Sequence, residues 1–135
     1  MKSTYKLVKN YQAIVDNGRN HATVIDLTPK GDGESLGPTA LELCLMSYSG
    51  CIGTIFAKIA RKMRLAIESL EVVLEADRDK EDPTMRSVNA TVNVKSPDSV
   101  AKLEKCLDFI LHTCPVGVLF DNADVPKNVK LNVIE

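Results

Sequence analysis

Residues 37–65 read GPTALELCLMSYSGCIGTIFAKIARKMRL, and this stretch decides the fold that the sequence predicts. Proline fits the first turn of a helix, and apolar residues recur behind it every three or four positions from Leu41 to Met63. We therefore predict one long helix from about residue 38 to about residue 65. Its first half is apolar on nearly every side, and such a helix must be buried on every side. A second copy of a short chain would cover it, so we expect a homodimer.

The segment before this helix reads as a pair of strands. Residues 5–15 predict one strand, and Asn17-Gly18 supplies residues that tolerate positive φ, so a hairpin should join it to a second strand over residues 21–27. Residues 28–37 contain three glycines and a proline, and they predict a loop.

Downstream of the helix, two strands are predicted over residues 70–77 and 85–95, and the second alternates apolar with polar residues, as a sheet with one wet face does. Ser96 and Pro97 then favour a second helix, with the serine as N-cap and the proline in its first position. Alternating apolar residues predict a closing strand at residues 129–133. Strands interrupted by two helices, without regular βαβ alternation, favour an α+β architecture with a largely antiparallel sheet.

The composition limits the classes of function. The chain has 135 residues, of which 44% are hydrophobic and 26% charged, and this fits one domain over residues 1–135. A net charge of -1 gives no drive toward nucleic acid or anionic lipid, so neither is an expected partner. Residues 1–6 lack the apolar segment of a signal peptide, and no window approaches the roughly 18 uncharged apolar residues of a membrane span. We therefore expect a cytoplasmic protein with no membrane contact.

The chain contains four cysteines, which differ in their surroundings. In a reducing compartment they are expected to be thiols, catalytic groups or metal ligands rather than a disulfide framework. Cys44 and Cys51 lie seven positions apart on the predicted helix. That separation is roughly 10 Å along the helix axis, which is too far for a disulfide. Cys44, and Cys106 in the second helix, read as small apolar side chains.

Cys51 and Cys114 carry features that the other two cysteines lack. Gly50 and Gly53 flank Cys51 in a helix, where glycine costs about 1 kcal/mol against alanine, so close backbone approach or an open pocket is expected there. Cys114 precedes Pro115, which ends one helix and can open a short new one, placing the thiol near backbone N–H groups that stabilise a thiolate. From these features alone, a reactive pair and two buried apolar thiols both remain open.

Three features together resemble the OsmC/Ohr superfamily. They are the Pro-x-x-x-Glu-Leu entrance to the first helix at residues 38–43, Cys51 in that helix, and His-Thr-Cys-Pro-Val at residues 112–116, whose cysteine lies 63 positions after Cys51. The resemblance spans nearly the whole chain and fits the divergent OsmC-like branch. It implies an intertwined homodimer, with antiparallel sheets wrapped around two central helices, and in many members the reduction of organic hydroperoxides.

The resemblance also implies roles for individual residues. Cys51 would be the peroxidatic thiol, Cys114 the resolving thiol, and Arg19 the cation that pairs with the thiolate. Where family peroxidases carry the acid that holds this arginine, the chain has Leu41, and Glu42 is the nearest substitute. On an unbroken helix Glu42 lies about 180° around the axis from Cys51, so this acid faces away unless the helix breaks or a partner subunit intervenes.

The leading hypothesis is a thiol peroxidase for small organic hydroperoxides, with a role in oxidative stress defence. Cys51 and Cys114 would cycle through sulfenate and disulfide without a cofactor, and an external dithiol, such as a lipoyl-type dithiol, would reset the pair. The substrate-binding residues predicted on the first helix are Leu45, Tyr48, Ile55 and Phe56. The alternative is a non-catalytic or small apolar ligand-binding protein on the same scaffold. Spacing disfavours both a Cys-His hydrolase that uses His112 and a metal site.

Overall fold

The computed structural model of the chain describes residues 1–27 and 35–134. Most of the loop predicted at residues 28–37 therefore lies outside the described residues. The chain divides into two compact units, Met1–Cys44 and Leu45–Glu135. In chain order the elements are β1 (Thr4–Lys9), β2 (Gln12–Asp16), β3 (Ala22–Ile25), α1 (Ala40–Lys62), β4 (Ser69–Asp77), β5 (Ser87–Lys95), α2 (Val100–Thr113), α3 (Pro115–Asn122) and β6 (Lys127–Ile134). These elements confirm the predicted α+β class.

The first unit contains an antiparallel sheet in the order β1-β2-β3. The single strand predicted over residues 5–15 is wrong, because the chain turns back at Asn10, whose φ of 52° is left-handed. Asparagine adopts this conformation more readily than most residues because its short polar side chain can hydrogen-bond locally. The hairpin predicted at Asn17-Gly18 is confirmed, with Gly18 at φ 70° and its N–H donating to Asp16 Oδ1 at 2.9 Å.

Helix α1 begins with a reciprocal pair of side-chain caps. The Thr39 N–H donates to Glu42 Oε2 at 2.7 Å, and the Glu42 N–H donates to Thr39 Oγ1 at 3.2 Å. This capping box satisfies two backbone donors that a helix start leaves without partners. The helix ends shortly before Arg64, which adopts a left-handed φ of 58°. The observed Ala40–Lys62 therefore confirms the predicted long helix, shortened by a few residues at each end.

The buried face of α1 is formed by Tyr48, Ile52, Phe56 and Ala60, which recur every four residues and are at most 1% exposed. By length and composition α1 is also apolar enough to cross a membrane, unlike the other helices that the structure describes. The expectation that no segment approaches such a composition is therefore corrected for α1. Core helices of folded domains satisfy the same criterion, so the finding is weak evidence for a membrane span.

The second unit contains a sheet in the order β4-β5-β6. Strand β5 alternates as predicted, with Val88, Ala90, Val92 and Val94 all buried. It pairs antiparallel with β4 and parallel with β6, so one pair departs from the antiparallel arrangement. The parallel pair arises because α2 and α3 intervene between β5 and β6, and such a crossover returns the chain in the same direction.

The start of α2 differs from the prediction. Helix α2 begins at Val100 with Ser99 in the N-cap position, so the predicted start at Ser96-Pro97 is wrong. The Ser96 hydroxyl instead accepts a hydrogen bond from the Asp98 N–H at 3.1 Å. Asp98 Oδ2 in turn accepts the Ala66 N–H at 2.8 Å, which joins the segment before β4 to the segment before α2. These side-chain bonds compete with helix formation and delay its start by one turn.

Candidate redox site

The sulfur atoms of Cys51 and Cys114 lie 2.9 Å apart, and the Cys114 thiol donates toward the Cys51 sulfur. We call these two residues the dithiol pair. They come from α1 and from the junction of α2 with α3, which are distant in the sequence. Neither forms a disulfide in this structure. A disulfide bond is about 2.05 Å long, so forming one would require the sulfurs to approach by only roughly 0.9 Å.

The position of Cys114 follows from the proline beside it. Pro115 lacks a backbone N–H and cannot continue α2, so the chain changes direction at Cys114 and α3 begins at once. Cys114 is the N-cap of α3, and its Sγ accepts the Gly117 N–H at 3.4 Å. The new short helix predicted at Pro115, with the thiol close to backbone N–H groups, is confirmed.

The two thiols of the dithiol pair differ in exposure. Cys114 is 1% exposed, whereas Cys51 is half-buried. Burial raises the pKa of the Cys114 thiol, the hydrogen bond to Cys51 raises it further, and the Gly117 N–H opposes the shift. Cys114 therefore keeps its proton at neutral pH. Cys51 is therefore the more exposed residue of the pair.

An aromatic and a basic side chain accompany the dithiol pair. The Tyr48 ring stacks on the Phe120 ring with centroids 4.9 Å apart, and Lys127 Nζ lies 5.9 Å from the Tyr48 centroid. Burial, followed by the negative charge that Cys114 would carry as a thiolate, raises the pKa of Tyr48 to about 12. Its hydroxyl is therefore neutral at physiological pH. Phe120 and Lys127 were not expected at this site, because no local sequence pattern marks either residue.

The predicted substrate-binding residues differ in their placement. Leu45 and Ile55 are half-buried, and Tyr48 is 1% exposed beside α3. Phe56 is 0% exposed, and its carbonyl accepts a contact from the buried Cys106 thiol at 4.0 Å. Phe56 therefore lies in the core, as Tyr48 does, and the predicted role of these residues in lining a substrate site stays a prediction.

Arg19 and Glu42 belong to the first unit and are described within it. Arg19 is exposed in the second hairpin, where its N–H donates to Asn17 Oδ1 at 2.9 Å, and it forms no ion pair with any residue that the structure describes. The Glu42 carboxylate accepts the Thr39 N–H in the capping box. The roles predicted for Arg19 and Glu42 in thiolate activation remain predictions.

His112 and the other two cysteines show different surroundings. The His112 side chain is exposed, and its Nδ1 lies 2.8 Å from the Asp108 carbonyl oxygen within α2. Cys106 is fully buried, and burial raises the pKa of its thiol. Cys44 is exposed on α1. Cys106 is therefore a buried apolar side chain, as the sequence predicts. Cys44, for which the same was predicted, is exposed in the single chain.

The glycines beside Cys51 give a first testable prediction. A Cβ at Gly50 would meet no atom within 4 Å, and one at Gly53 would make an ordinary 3.7 Å contact with Val72 Cγ2. Close backbone approach therefore does not explain either glycine within the second unit. We expect Gly50→Ala to raise the free energy of unfolding by about 1 kcal/mol, because alanine is the better helix former. Denaturant titration measures this change.

Gly37→Ala is the control, and it should change the free energy of unfolding in the opposite direction. A Cβ at Gly37 would lie 2.8 Å from the Val24 carbonyl oxygen, a backbone atom that cannot turn aside. We therefore expect this variant to lower the free energy of unfolding. A loss of stability in Gly50→Ala would contradict the account given for Gly50 and would mean that another surface packs against it in solution.

Comparisons with known proteins identify a family and several proteins of similar fold. A family model described as OsmC-like protein matches residues 31–130. A crystal structure of an OsmC-like protein from Mycoplasma pneumoniae is 17% identical, with a TM-score of 0.87 over 99% of this chain and 96% of that one. The organic hydroperoxide resistance protein OhrB of Bacillus subtilis is 18% identical, with a TM-score of 0.63 over 98% and 96% of the two chains.

A third similar structure is an organic hydroperoxide resistance protein OsmC from Legionella pneumophila. It is 13% identical, with a TM-score of 0.69 over 98% of this chain and 96% of that one. No curated protein matches the chain at a significant level. At these identities the structural likeness shows a shared fold and leaves the chemistry to be argued from the residues.

Proposed function

The chain belongs to the OsmC-like protein family, and from this premise we propose that it is a thiol peroxidase that reduces small organic hydroperoxides. The observation that carries the proposal is the distance of 2.9 Å between the sulfurs of the dithiol pair. Two thiols at this distance suit a cycle in which one sulfur is oxidised and the other forms a disulfide with it. Names of similar proteins, which include organic hydroperoxide resistance proteins, support the choice of substrate class.

The first chemical step is attack by the Cys51 thiolate on a peroxide oxygen. The O–O bond breaks, Cys51 becomes a sulfenic acid, and the alkoxide takes a proton to leave as an alcohol. The partly exposed Cys51 suits this step because the substrate must reach the sulfur.

The second step consumes the sulfenic acid. The Cys114 sulfur attacks the Cys51 sulfur, the S–O bond breaks, and the hydroxyl leaves as water with the proton of Cys114. The pKa of the Cys114 thiol is raised, so the proton that it carries must pass to the hydroxyl as the sulfur attacks. An external dithiol, for which we propose a lipoyl-type compound, reduces the disulfide by exchange and restores both thiols.

The proposal gives Arg19 the role of the cation that favours the Cys51 thiolate, since a nearby positive charge is the usual means of populating one at neutral pH. Its lack of an ion pair with the described residues leaves the guanidinium available for that role. Glu42 enters the proposal as the capping residue of α1. Leu45, Tyr48 and Ile55 would supply the apolar surface beside the reactive sulfur.

We further propose that the protein acts in the cytoplasm as a homodimer. Several large apolar side chains of the second unit are more than half exposed, among them Met46 at 55%, Phe109 at 53% and Leu119 at 65%. Exposed apolar side chains of this size are the kind that a second copy would cover.

Hydroperoxide consumption in the presence of a dithiol tests the proposed function. We expect turnover of tert-butyl hydroperoxide with dihydrolipoamide as reductant, faster by about tenfold than turnover of hydrogen peroxide because apolar contacts favour the alkyl group. The control is the same protein after its thiols have been alkylated. Consumption no greater than that of dihydrolipoamide alone would contradict a peroxidase. Native mass spectrometry that reveals a copurified apolar ligand would then favour the ligand-binding alternative.

A further inference from the structure

We propose that Lys127 is a positioning residue, which holds α3 so that Cys114 stays within bonding range of Cys51. The inference deepens the proposed function and rests on it for its biological meaning. Its test measures the dithiol pair directly and does not require peroxidase turnover.

Lys127 contacts both turns of α3. Its ammonium donates to the Gly117 carbonyl oxygen at 2.8 Å and forms an ion pair with Asp121 Oδ1 at 2.6 Å. Gly117 lies in the first turn of this eight-residue helix and Asp121 in its last. Only 12% of the Lys127 side chain is exposed, against 53% for Asp121, so the ammonium is held against the helix rather than extended into solvent.

The first of these contacts leads directly to the reactive pair. The Gly117 carbonyl accepts from Lys127, and the Gly117 N–H donates to Cys114 Sγ at 3.4 Å. A single residue therefore lies between the ammonium and the resolving sulfur. Displacement of Gly117 would remove the N–H from the sulfur and change the direction of the Cys114 side chain.

The ammonium also contacts the helix that carries Cys51. Lys127 Nζ lies 5.9 Å from the centroid of the Tyr48 ring, within the usual range of a cation–π interaction. Tyr48 precedes Cys51 by about one turn of α1, and its ring stacks on Phe120 of α3. Lys127 thus contacts side chains of both helices that bear the dithiol pair.

Helix α3 depends on such contacts for its position. An isolated helix shorter than about 12 residues is marginal in water, so an eight-residue helix is held by its tertiary contacts. Lys127 can serve as an anchor because it pairs with Val88 in the ladder between β5 and β6. The sheet fixes the lysine backbone, and the lysine side chain fixes the helix.

The equilibrium between the dithiol pair and glutathione tests the proposal. Two protein thiols and one oxidised glutathione exchange to give the Cys51–Cys114 disulfide and two reduced glutathiones, and alkylation followed by mass spectrometry measures both protein states. We expect Lys127→Met to lower the equilibrium constant for disulfide formation about tenfold, the effect of losing one charge-assisted hydrogen bond. Lys127→Arg, which keeps the charge and donors, is expected to give an intermediate value.

Lys130→Met is the matched control, because Lys130 lies on the exposed face of the same strand. We expect its equilibrium constant to equal that of the unaltered protein. A purely structural role for Lys127 would lower the stability of the dithiol and disulfide forms alike and leave this constant unchanged. Equal constants for Lys127→Met and Lys130→Met would therefore overturn the proposal.

Asp121→Asn provides a second test if Lys127→Met does not fold. It weakens one contact of the ammonium and leaves the lysine in place. We expect a smaller decrease of the equilibrium constant in the same direction, and no decrease would overturn the proposal. If the unaltered protein fails to consume hydroperoxide while Lys127→Met still lowers the constant, the peroxidase function is refuted and the positioning role stands.

Discussion

Cys51→Ser is expected to lower hydroperoxide turnover about a thousandfold or more, because a serine hydroxyl is a weak nucleophile without an activating base and cannot form a sulfenic acid. In the proposed mechanism the Cys51 sulfur attacks every hydroperoxide molecule, so no other thiol should replace it. Steady-state consumption of tert-butyl hydroperoxide with dihydrolipoamide measures the loss. Cys44→Ser is the matched control, since Cys44 is an exposed cysteine on the same helix, and its turnover should stay unchanged.

Cys114→Ser should separate the two steps of the cycle. Without added dithiol, the variant is expected to reduce about one equivalent of hydroperoxide in a fast phase, because no resolving thiol removes the sulfenic acid. Excess hydroperoxide should then convert Cys51 to sulfinic acid, which mass spectrometry detects as added oxygen. A Cys114→Ser variant that turns over at the original rate, without overoxidation, would contradict the assigned roles even though the sulfurs are 2.9 Å apart.

Phe56→Ala is expected to lower the free energy of unfolding by about 3–5 kcal/mol, the usual cost of removing a buried aromatic side chain and leaving a cavity. Phe56 is 0% exposed and belongs to the buried face of α1. Its backbone carbonyl lies 4.0 Å from the Cys106 sulfur, so this part of α1 contacts α2 within the second unit. Denaturant titration in a reducing buffer measures the change without interference from disulfides.

Phe109→Ala is the matched control for this prediction. Phe109 lies on α2 and is 53% exposed, so the same substitution should cost less than about 1 kcal/mol. Equal losses in the two variants would contradict the burial that the single chain shows. A loss at Phe109 that grows with dilution would indicate that a second copy covers this surface.

Several features of the fold were predictable because their causes are local. The long helix was found from its apolar spacing, and the capping box explains why it begins at Ala40. Strand β5 was found from its strict alternation. The break at Cys114 and Pro115 followed from the missing N–H of proline, which acts on the nearest turn of the chain.

Other features were missed because the sequence signal was weak or the cause was distant. The turn at Asn10 lacks the glycine that usually marks a hairpin, and the strand pattern continues through it. Helix α2 begins later than predicted because Asp98 accepts a hydrogen bond from Ala66, which lies 32 positions earlier. The parallel pairing of β6 with β5 is set by the course of the crossover and not by the sequence of either strand.

The sequence by itself determined the helices, most of the strands, the family resemblance and the two cysteines that merited attention. Only the tertiary structure decided that Cys51 and Cys114 lie 2.9 Å apart, that Phe56 belongs to the core, and that Lys127 joins α3 to the sheet. Local signals arise from backbone conformations and hydrogen bonds within a few residues, which any short stretch of chain carries. The distance between two sulfurs separated by 63 positions depends on how all the intervening elements pack, and no short stretch contains that information.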